Sequence, residues 1–358
     1  MKYLLLFTLL LPLGCLAQIK ITGRVINEID NAPIAAASVF LSNATVGDKS
    51  AEDGRYVLRN VKAGQYDLVV SVVGFESHKQ TVMAGTADIS LPNIKLLPKT
   101  MMLNEVKVRP NFNREKYLNE FKAEFLGRSM LSSQTDIINP EAVDLDYDPE
   151  TKVLTASTPE FLELENKGLG YKIKYYLTKF AKDSKKGRIS YSGEVLYEPM
   201  EGTPTQQRRW KKNRHAVYTA SSMHFLRAVI GKQVDNYFIV GKNYDSKSHA
   251  HVMEYQPVDT LSIFDYTHLT DKRGIFALGF NSPLYVWYAP VRNDKNAVQQ
   301  ERARPMLMGK LTLLDKHAFF DSNGTILNPE AALFDYRWGY SRVAEQLPVD
   351  FEPEAEKQ

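Results

Sequence analysis

The sequence has almost no cysteine, no long apolar run after its N-terminus and almost no net charge. Its single cysteine, Cys15, lies so close to the N-terminus that removal of a short leader would leave no disulfide and no thiolate metal ligand. Lys and Arg number 45 against 42 for Asp and Glu, a net charge of +3, which excludes a global attraction to nucleic acid. After the N-terminus no stretch of about 18 apolar residues occurs, so no transmembrane helix is predicted.

The rest of the composition is that of an ordinary globular protein. Hydrophobic residues make up 44% and charged residues 24% of the 358 positions, which excludes a largely disordered chain. At roughly 150 residues for each domain, this length predicts about two folded domains. Because disulfides are excluded, apolar burial alone has to stabilise their cores.

The N-terminus has the pattern of an export signal. Lys2 supplies its positive charge, and residues 4–13 form an apolar stretch that is too short to anchor the protein. Cys15 and Ala17 are small residues at the −3 and −1 positions, which predicts cleavage between Ala17 and Gln18. The alternative is lipoprotein processing with a lipid on Cys15. Both routes predict an exported protein in the periplasm or at the outer membrane.

The segment after the leader has the pattern of an all-β sandwich. Short strand-like runs alternate with turn signals about every 8–12 residues, and no helical periodicity interrupts them. The runs are 19–25, 38–41, 55–58, 66–73 and 89–97. The fourth is almost continuously apolar, so we expect it to lie in the centre of a sheet.

A series of short motifs runs through the same segment. They are Gly23-Arg24-Val25, Pro33-Ile34, Ala37-Ser38-Val39, Asp53-Gly54-Arg55-Tyr56, Gly64-Gln65-Tyr66 and Val73-Gly74-Phe75. In this order they resemble the carboxypeptidase regulatory-like domain of Bacteroidota envelope proteins. The resemblance implies a seven-stranded, transthyretin-like (prealbumin-like) β-sandwich without catalytic residues, which serves as a docking or spacer module.

The spacing of apolar residues changes after residue 112. Tyr117, Phe121 and Phe125 recur every four residues, which predicts an amphipathic helix capped by Asn113 and stopped by Gly127. A second amphipathic helix is predicted over 207–231, and strand-like runs fill most of the remainder. These elements indicate an α+β domain with a mostly antiparallel sheet and about two amphipathic helices.

The sequence therefore divides into five parts, and the predicted fold class is mainly β. The parts are a signal peptide (1–17), a sandwich (18–100), a linker (101–112), an α+β domain (113–348) and an acidic tail (349–358). The α+β domain resembles the C-terminal region of a Bacteroidota envelope family of unknown function. That resemblance implies no functional residue.

The strongest local charge feature is a basic run that we place at the start of the second helix. It contains Arg208, Arg209, Lys211, Lys212 and Arg214. Because a helix N-terminus already carries partial positive charge, such a run predicts a site for an anion. The expected ligands are lipopolysaccharide phosphates, acidic glycans or an envelope protein. The alternative is a solvated surface with Trp210 packed in the core.

Three aromatic residues, Tyr285, Trp287 and Tyr288, offer a second candidate site. If their rings are exposed together, they predict recognition of a glycan or a peptide. A buried cluster would exclude that role.

A His-x-x-Glu motif, His251 and Glu254, matches the first two zinc ligands of carboxypeptidases. However, the segment alternates like a strand, in which positions i and i+3 face opposite sides and cannot share one ion. We therefore predict neither a metal site nor a cofactor, although a zinc carboxypeptidase-like hydrolase remains an alternative. Thr260, within Asp259-Thr260-Leu261, matches a short O-glycosylation pattern.

Together these features favour an exported, non-catalytic cell-envelope protein. Its sandwich would be a docking or spacer module for a C-terminal domain that binds a partner or a polymer. The alternatives are a carbohydrate- or peptide-binding module and the zinc hydrolase.

Overall fold

A computed structural model of the chain describes residues 19–99, 113–249, 252–290 and 308–353. The predicted leader, linker and last five residues lie outside these ranges. The predicted fold class is confirmed, because the structure consists mainly of antiparallel strands with an N-terminal sandwich.

The sandwich consists of eight strands in two sheets of four. The strands are β1 (Ile19–Asn27), β2 (Ser38–Leu41), β3 (Gly47–Lys49), β4 (Arg55–Val61), β5 (Gly64–Ser71), β6 (His78–Ala84), β7 (Ile89–Ser90) and β8 (Ile94–Leu96). One sheet has the order β4-β1-β7 with β8 also paired to β1, and the other has the order β3-β2-β5-β6. The central position predicted for the fourth run is confirmed, since β5 lies between β2 and β6.

The last strand predicted for the sandwich is split into β7 and β8. Pro92 lies between them and has no main-chain N–H to donate to the ladder. Both short strands pair in parallel with β1. The described sandwich therefore has eight strands rather than seven.

The predicted first helix is confirmed, including both of its ends. Helix α1 (Arg114–Leu126) begins after Asn113, whose side chain accepts a hydrogen bond from the main-chain N–H of Lys116. It ends at Gly127, which has a φ of 95°. Its apolar stripe packs Phe121 and Phe125 against the sheet that follows.

This second unit is a six-stranded antiparallel sheet. Its strands are β9 (Thr135–Ile137), β10 (Asp144–Asp148), β11 (Val153–Ser157), β12 (Leu162–Asn166), β13 (Tyr171–Asp183) and β14 (Arg188–Pro199). The order is β10-β11-β13-β12-β9, and β14 pairs with the other side of β13.

The single helix predicted over 207–231 is wrong, because the structure has two helices there. Helix α2 (Pro204–Tyr218) and helix α3 (Ser222–Ile230) are followed by the short helix α4 (Val234–Tyr237). The periodicity continues through both, so the apolar pattern alone does not reveal the break.

The break between α2 and α3 is stabilised by local and long-range hydrogen bonds. Ala220 has a φ of 62°, and the Ser221 hydroxyl caps α3 by accepting from the main-chain N–H of His224 at 3.0 Å. The indole N–H of Trp338 donates to the Ala220 carbonyl at 2.8 Å. The guanidinium of Arg337 donates to the carbonyls of Ala216 and Thr219. These acceptors would otherwise be unpaired carbonyls at the end of α2.

The third unit contains a five-stranded and a three-stranded sheet. Its elements are β15 (Phe238–His249), β16 (Val252–Thr260), β17 (Thr267–Leu269), β18 (Ile275–Leu278), β19 (Leu284–Tyr288), β20 (Met308–Leu313), β21 (Ala318–Asp321), β22 (Ala332–Tyr336) and helix α5 (Arg337–Tyr340). The sheet orders are β16-β15-β19-β20-β22 and β17-β18-β21. Short 3₁₀ helices occur at Ser132–Gln134, Pro140–Ala142, Ile263–Tyr266, Pro329–Ala331 and Val343–Glu345.

The region predicted as one α+β domain contains two hydrophobic cores. The first lies between α1 and the six-stranded sheet and includes Phe121 and Phe180. The second lies between α3 and the last two sheets and includes Phe225 and Phe320. With the core of the sandwich, each of the three units has its own core, and a small fourth cluster of Phe40, Val69 and Leu196 lies between the sandwich and the second unit.

Candidate functional site

The basic run lies in the middle and second half of α2, not at its start as predicted. The helix begins four residues before Arg208, with Pro204 in its first turn. Thr203 and Gln206 form a capping box in which the Thr203 hydroxyl accepts from the Gln206 N–H and the Gln206 side chain accepts from the Thr203 N–H. The predicted position of the basic run at the helix N-terminus is therefore wrong, whereas binding of an anion by these residues stays a prediction.

The inner face of α2 binds the loop at residues 167–170. The indole N–H of Trp210 donates to the Lys167 carbonyl at 2.8 Å, and the Asn213 amide donates to the Gly168 carbonyl at 2.8 Å. Arg214 donates to two further carbonyls of the loop, at 2.7 and 3.0 Å, and its guanidinium lies 4.0 Å from the centre of the Tyr171 ring. These contacts fix the orientation of the helix.

Gly170 explains how closely helix and loop approach each other. Its φ is 71°, and a Cβ atom there would lie 2.2 Å from a ring carbon of Trp210. Only glycine fits this position, since any side chain would both strain the backbone and clash with the indole.

The outer face of α2 carries the remaining positive charge. Arg208, Lys211 and Lys212 are exposed and His215 is half-buried, and their spacing places all four on one side of the helix. The 15 residues of α2 include no Asp or Glu. Within the described residues, Arg208 and Lys212 form no ion pair. We call these four residues the basic face.

The five predicted basic residues therefore lie in different surroundings. Arg208, Lys211 and Lys212 lie on the basic face. Arg214 does not, because its guanidinium is half-buried and bound to the loop. Arg209 is exposed and reaches the Lys167 carbonyl at 3.5 Å.

The three aromatic residues do not form an exposed platform. Trp287 is only 3% exposed, because strand β19 lies inside its sheet between β15 and β20. Tyr285 and Tyr288 are half-buried. The expectation of three exposed rings is therefore wrong.

Several other sequence predictions fall partly or wholly outside the described residues. These are Cys15, Ala17, Gln18 and His251. The backbone of Glu254 lies in strand β16, and Thr260 is exposed at the end of that strand. The roles predicted for both residues stay predictions. Within the described ranges, no group of three or more His, Asp or Glu side chains is placed to hold a metal ion.

Arg227 of α3 forms a junction between the units that was not predicted from the sequence. Its guanidinium donates to three main-chain carbonyls, those of Asn323 at 2.8 Å, Val349 at 2.8 Å and Phe351 at 2.7 Å. The available signal was a single charge in the apolar helix Ser222–Ile230. Its acceptors lie about a hundred positions downstream, so the sequence does not reveal them.

The first part of the predicted acidic tail packs on the sandwich. Val349 is buried in the sandwich core, and its N–H donates to the Asn43 carbonyl at 2.7 Å. Asp350 accepts hydrogen bonds from the main-chain N–H and the hydroxyl of Thr45. Residues 349–353 of the predicted acidic tail thus belong to the folded structure, because Val349 is an apolar residue that packs in the sandwich core.

The loop of the sandwich that contains Asn43 and Ala44 also forms hydrogen bonds with the edge of the six-stranded sheet. The Asn43 N–H donates to the Val195 carbonyl at 2.7 Å, and the Tyr197 N–H donates to the Ala44 carbonyl at 3.0 Å. Both acceptor and donor on the sheet belong to edge strand β14, so the sandwich loop covers part of a strand edge that would otherwise be open. The sandwich and the second unit are thus joined by main-chain hydrogen bonds.

Comparison with known families assigns the first unit. A family model of the CarboxypepD_reg-like domain matches residues 21–108, which include nearly all of the described sandwich. The N-terminal unit is a carboxypeptidase regulatory-like domain. The match ends before the six-stranded sheet, and no curated protein matches the chain.

Two solved structures are similar to the chain at low TM-scores. A type II cohesin–X-dockerin complex from Acetivibrio cellulolyticus is 19% identical over 22% of this chain and 56% of its own, with a TM-score of 0.20. A putative membrane-associated protein of unknown function from Bacteroides fragilis is 10% identical over 84% of this chain and 92% of its own, with a TM-score of 0.19. The chain spans little more than half of the cohesin–dockerin structure. Scores this low do not indicate a shared fold.

Among the described residues, no helix is both long and apolar enough to cross a membrane.

Proposed function

We propose that this protein is an exported, non-catalytic component of the cell envelope. Its carboxypeptidase regulatory-like domain would be a rigid spacer and docking module, and the basic face of α2 would bind an anionic envelope polymer. The ligand chemistry is a row of phosphates or carboxylates, as in lipopolysaccharide or acidic glycans. Export is supported by the leader pattern of residues 1–17.

The role as a spacer is supported by the way the three units are joined. Arg227 bonds to a loop of the third unit and to the C-terminal segment, and that segment continues into the sandwich core. The sandwich also shares main-chain hydrogen bonds with β14. Contacts of this kind hold the sandwich at a fixed position relative to the rest of the chain, as a spacer requires.

The single observation that carries the binding proposal is the division of α2 into two faces. The inner face uses its polar groups on the loop at 167–170, whereas Arg208 and Lys212 have no ion pair in the described chain. Arg208, Lys211 and Lys212 follow each other on one side of the helix over about 6 Å. A rigid row of cations of this length suits a polyanion better than a single small anion.

The test is binding of the full chain to purified lipopolysaccharide, measured by cosedimentation at low and high salt. We expect saturable binding at about 50 mM salt that weakens strongly at about 500 mM, because salt screens exposed charges. The variant R208E/K212E should lose most of this binding. Dephosphorylated lipopolysaccharide and polygalacturonate separate phosphate from carboxylate recognition.

The matched control is K95E/K99E, which reverses two exposed charges on the sandwich and changes the net charge equally. It should bind like the unmodified chain. Equal losses in both variants would show that only net charge matters, and binding that R208E/K212E leaves intact would reject the basic face.

A further inference from the structure

An open cleft of about 650 Å³ lies along one edge of the sandwich, remote in sequence from α2. Asp48, Arg59 and Lys62 line it, together with Asp350 of the C-terminal segment. It is bounded by the short strand β3 and by β4, which come from different sheets. The cleft is thus the gap between the two sheets on this side of the sandwich.

Strand β4 is an edge strand of its sheet, which ends in the order β4-β1-β7. At the start of β4 the main-chain groups that point away from β1 are already paired, since the Arg55 carbonyl accepts from the Ala51 N–H and the Val57 N–H donates to the Asp48 carboxylate. Beyond Val57, no hydrogen bond among the described residues covers this side of the strand. Within the described residues no strand pairs with this side of β4. An edge of this kind can accept an added extended segment.

A β-bulge places two cations along the cleft. Between the pairs Ile21–Leu58 and Ile19–Val61, two residues of β4 lie opposite one residue of β1. One of them, Asn60, has a φ of 58°. Because the bulge shifts the alternation of side chains, Arg59 and Lys62 are both exposed while Val61 is buried.

The C-terminal segment of the chain contacts this cleft through Lys62. The ammonium of Lys62 donates to the Asp350 carbonyl at 2.6 Å and pairs with the Glu352 carboxylate at 2.8 Å. It thus holds a main-chain carbonyl and the carboxylate two residues further along, at a turn in which the Phe351 N–H donates to the Pro348 carbonyl at 2.9 Å. Because the Glu352 side chain is 72% exposed, this ion pair contributes little to stability and can be replaced.

Of the other three charged residues that line the cleft, two are carboxylates that the protein itself hydrogen-bonds, and the third is Arg59. The Asp48 carboxylate accepts from the Val57 N–H, and the Asp350 carboxylate accepts from Thr45. Both acids are therefore satisfied by the protein. Arg59 has no ion pair within the described residues, and its planar guanidinium suits a carboxylate.

We propose that this cleft binds an acidic segment of a partner protein in extended conformation. The segment lies along the open edge of β4, with one carboxylate on Arg59 and a second on Lys62 in place of Glu352. This site is independent of the basic face of α2, and neither proposal depends on the other.

The experiment is fluorescence polarisation of a labelled, acetylated peptide, Ala-Glu-Val-Glu-Val-Glu, titrated with the full chain. Alternating glutamates place all carboxylates on one side of an extended strand. We expect saturable binding, and we expect R59E to raise Kd by about tenfold or more. The milder variant R59Q should raise Kd less, and circular dichroism confirms that both variants are folded.

The charge-matched control is K95E, at an exposed position on β8 that does not line the cleft. It should leave Kd unchanged. Equal binding of the corresponding lysine peptide, or binding that R59E leaves intact, would overturn the proposal. Binding seen only in the variant E354Q/E356Q would also overturn it, because the chain's own acidic residues would then be the occupant.

Discussion

The Arg227 junction and the basic face of α2 lie on consecutive helices and use the same kinds of side chain in opposite ways. Arg227 is half-buried and saturated by three carbonyls, whereas Arg208 and Lys212 are exposed without an ion pair in the described chain. The difference lies in the surroundings, because a planar guanidinium can satisfy several main-chain acceptors wherever a loop comes close. Cations that donate to main-chain carbonyls stabilise the fold. Cations that reach no carbonyl stay available to bind a ligand.

The largest expected effect is the loss of the junction in R227A. The substitution leaves three carbonyls without their donor, so we expect the free energy of unfolding to fall by about 3 kcal/mol, since hydrogen bonds to charged groups contribute about 1.5–3 kcal/mol each and are not additive. Urea unfolding measures this loss. The control is R128A, which removes an exposed ion pair on α1 and should cost less than about 0.5 kcal/mol. A loss below about 1 kcal/mol in R227A would mean that the junction does not hold the units together.

The sequence predicted local elements better than contacts between units. Helix α1 was predictable in full because its stripe, Asn113 cap and Gly127 stop are all local signals. Strand β14 was not predicted, since Gly193 interrupts its apolar alternation, and it pairs with β13 along nearly its whole length. A tertiary contact can thus form a strand that its own sequence does not indicate.

The candidate site was predictable in composition but not in position. The basic run is visible in the sequence, yet its place in the helix depends on the capping box at Thr203 and Gln206. Likewise, exposure of Trp287 depends on which strands flank β19, and no local pattern specifies that. The Arg227 junction joins residues about 122 positions apart, such as Arg227 and Val349, so only the folded chain reveals it.

The second largest expected effect is a loss of stability at low pH, caused by His224 beside the break between α2 and α3. Burial lowers the pKa of His224 from 6.5 to about 4, with smaller contributions from His215 and Arg227. The ring is therefore neutral in the folded chain at pH 5 but mostly protonated in the unfolded chain. Because the unfolded state binds more protons below pH 6.5, stability falls as pH drops from about 7 to 5, by about 2 kcal/mol.

Urea unfolding of the unmodified chain and of H224F at both pH values isolates this contribution. The phenylalanine keeps a ring beside Tyr218 and Phe238 but cannot be protonated. We expect the difference in stability between the two proteins to change by about 2 kcal/mol over this range. A constant difference would show that His224 titrates normally and is not buried as described.

The third expected effect is a difference in stability between substitutions on the two faces of α2. R214Q removes hydrogen bonds to two carbonyls and the contact with the Tyr171 ring, so we expect a loss of about 1.5 kcal/mol. K212Q changes an exposed residue of the same helix and should alter stability by less than about 0.5 kcal/mol. Both variants remove one charge, which makes them a matched pair in thermal or urea unfolding. Equal effects would contradict the division into two faces.

The smallest effect concerns the end of the helix that carries Arg227. Lys232 follows α3 with a φ of 53°, and the N–H of Gln233 donates to the Ala228 carbonyl at 2.8 Å, as at a helix end that favours glycine. K232G should therefore raise the free energy of unfolding by about 0.5 kcal/mol, because glycine adopts this backbone conformation without a Cβ clash. K232A removes the same charge but keeps the Cβ, so it should not be stabilised. A gain in both variants would assign the effect to the lost charge and not to the backbone conformation at Lys232.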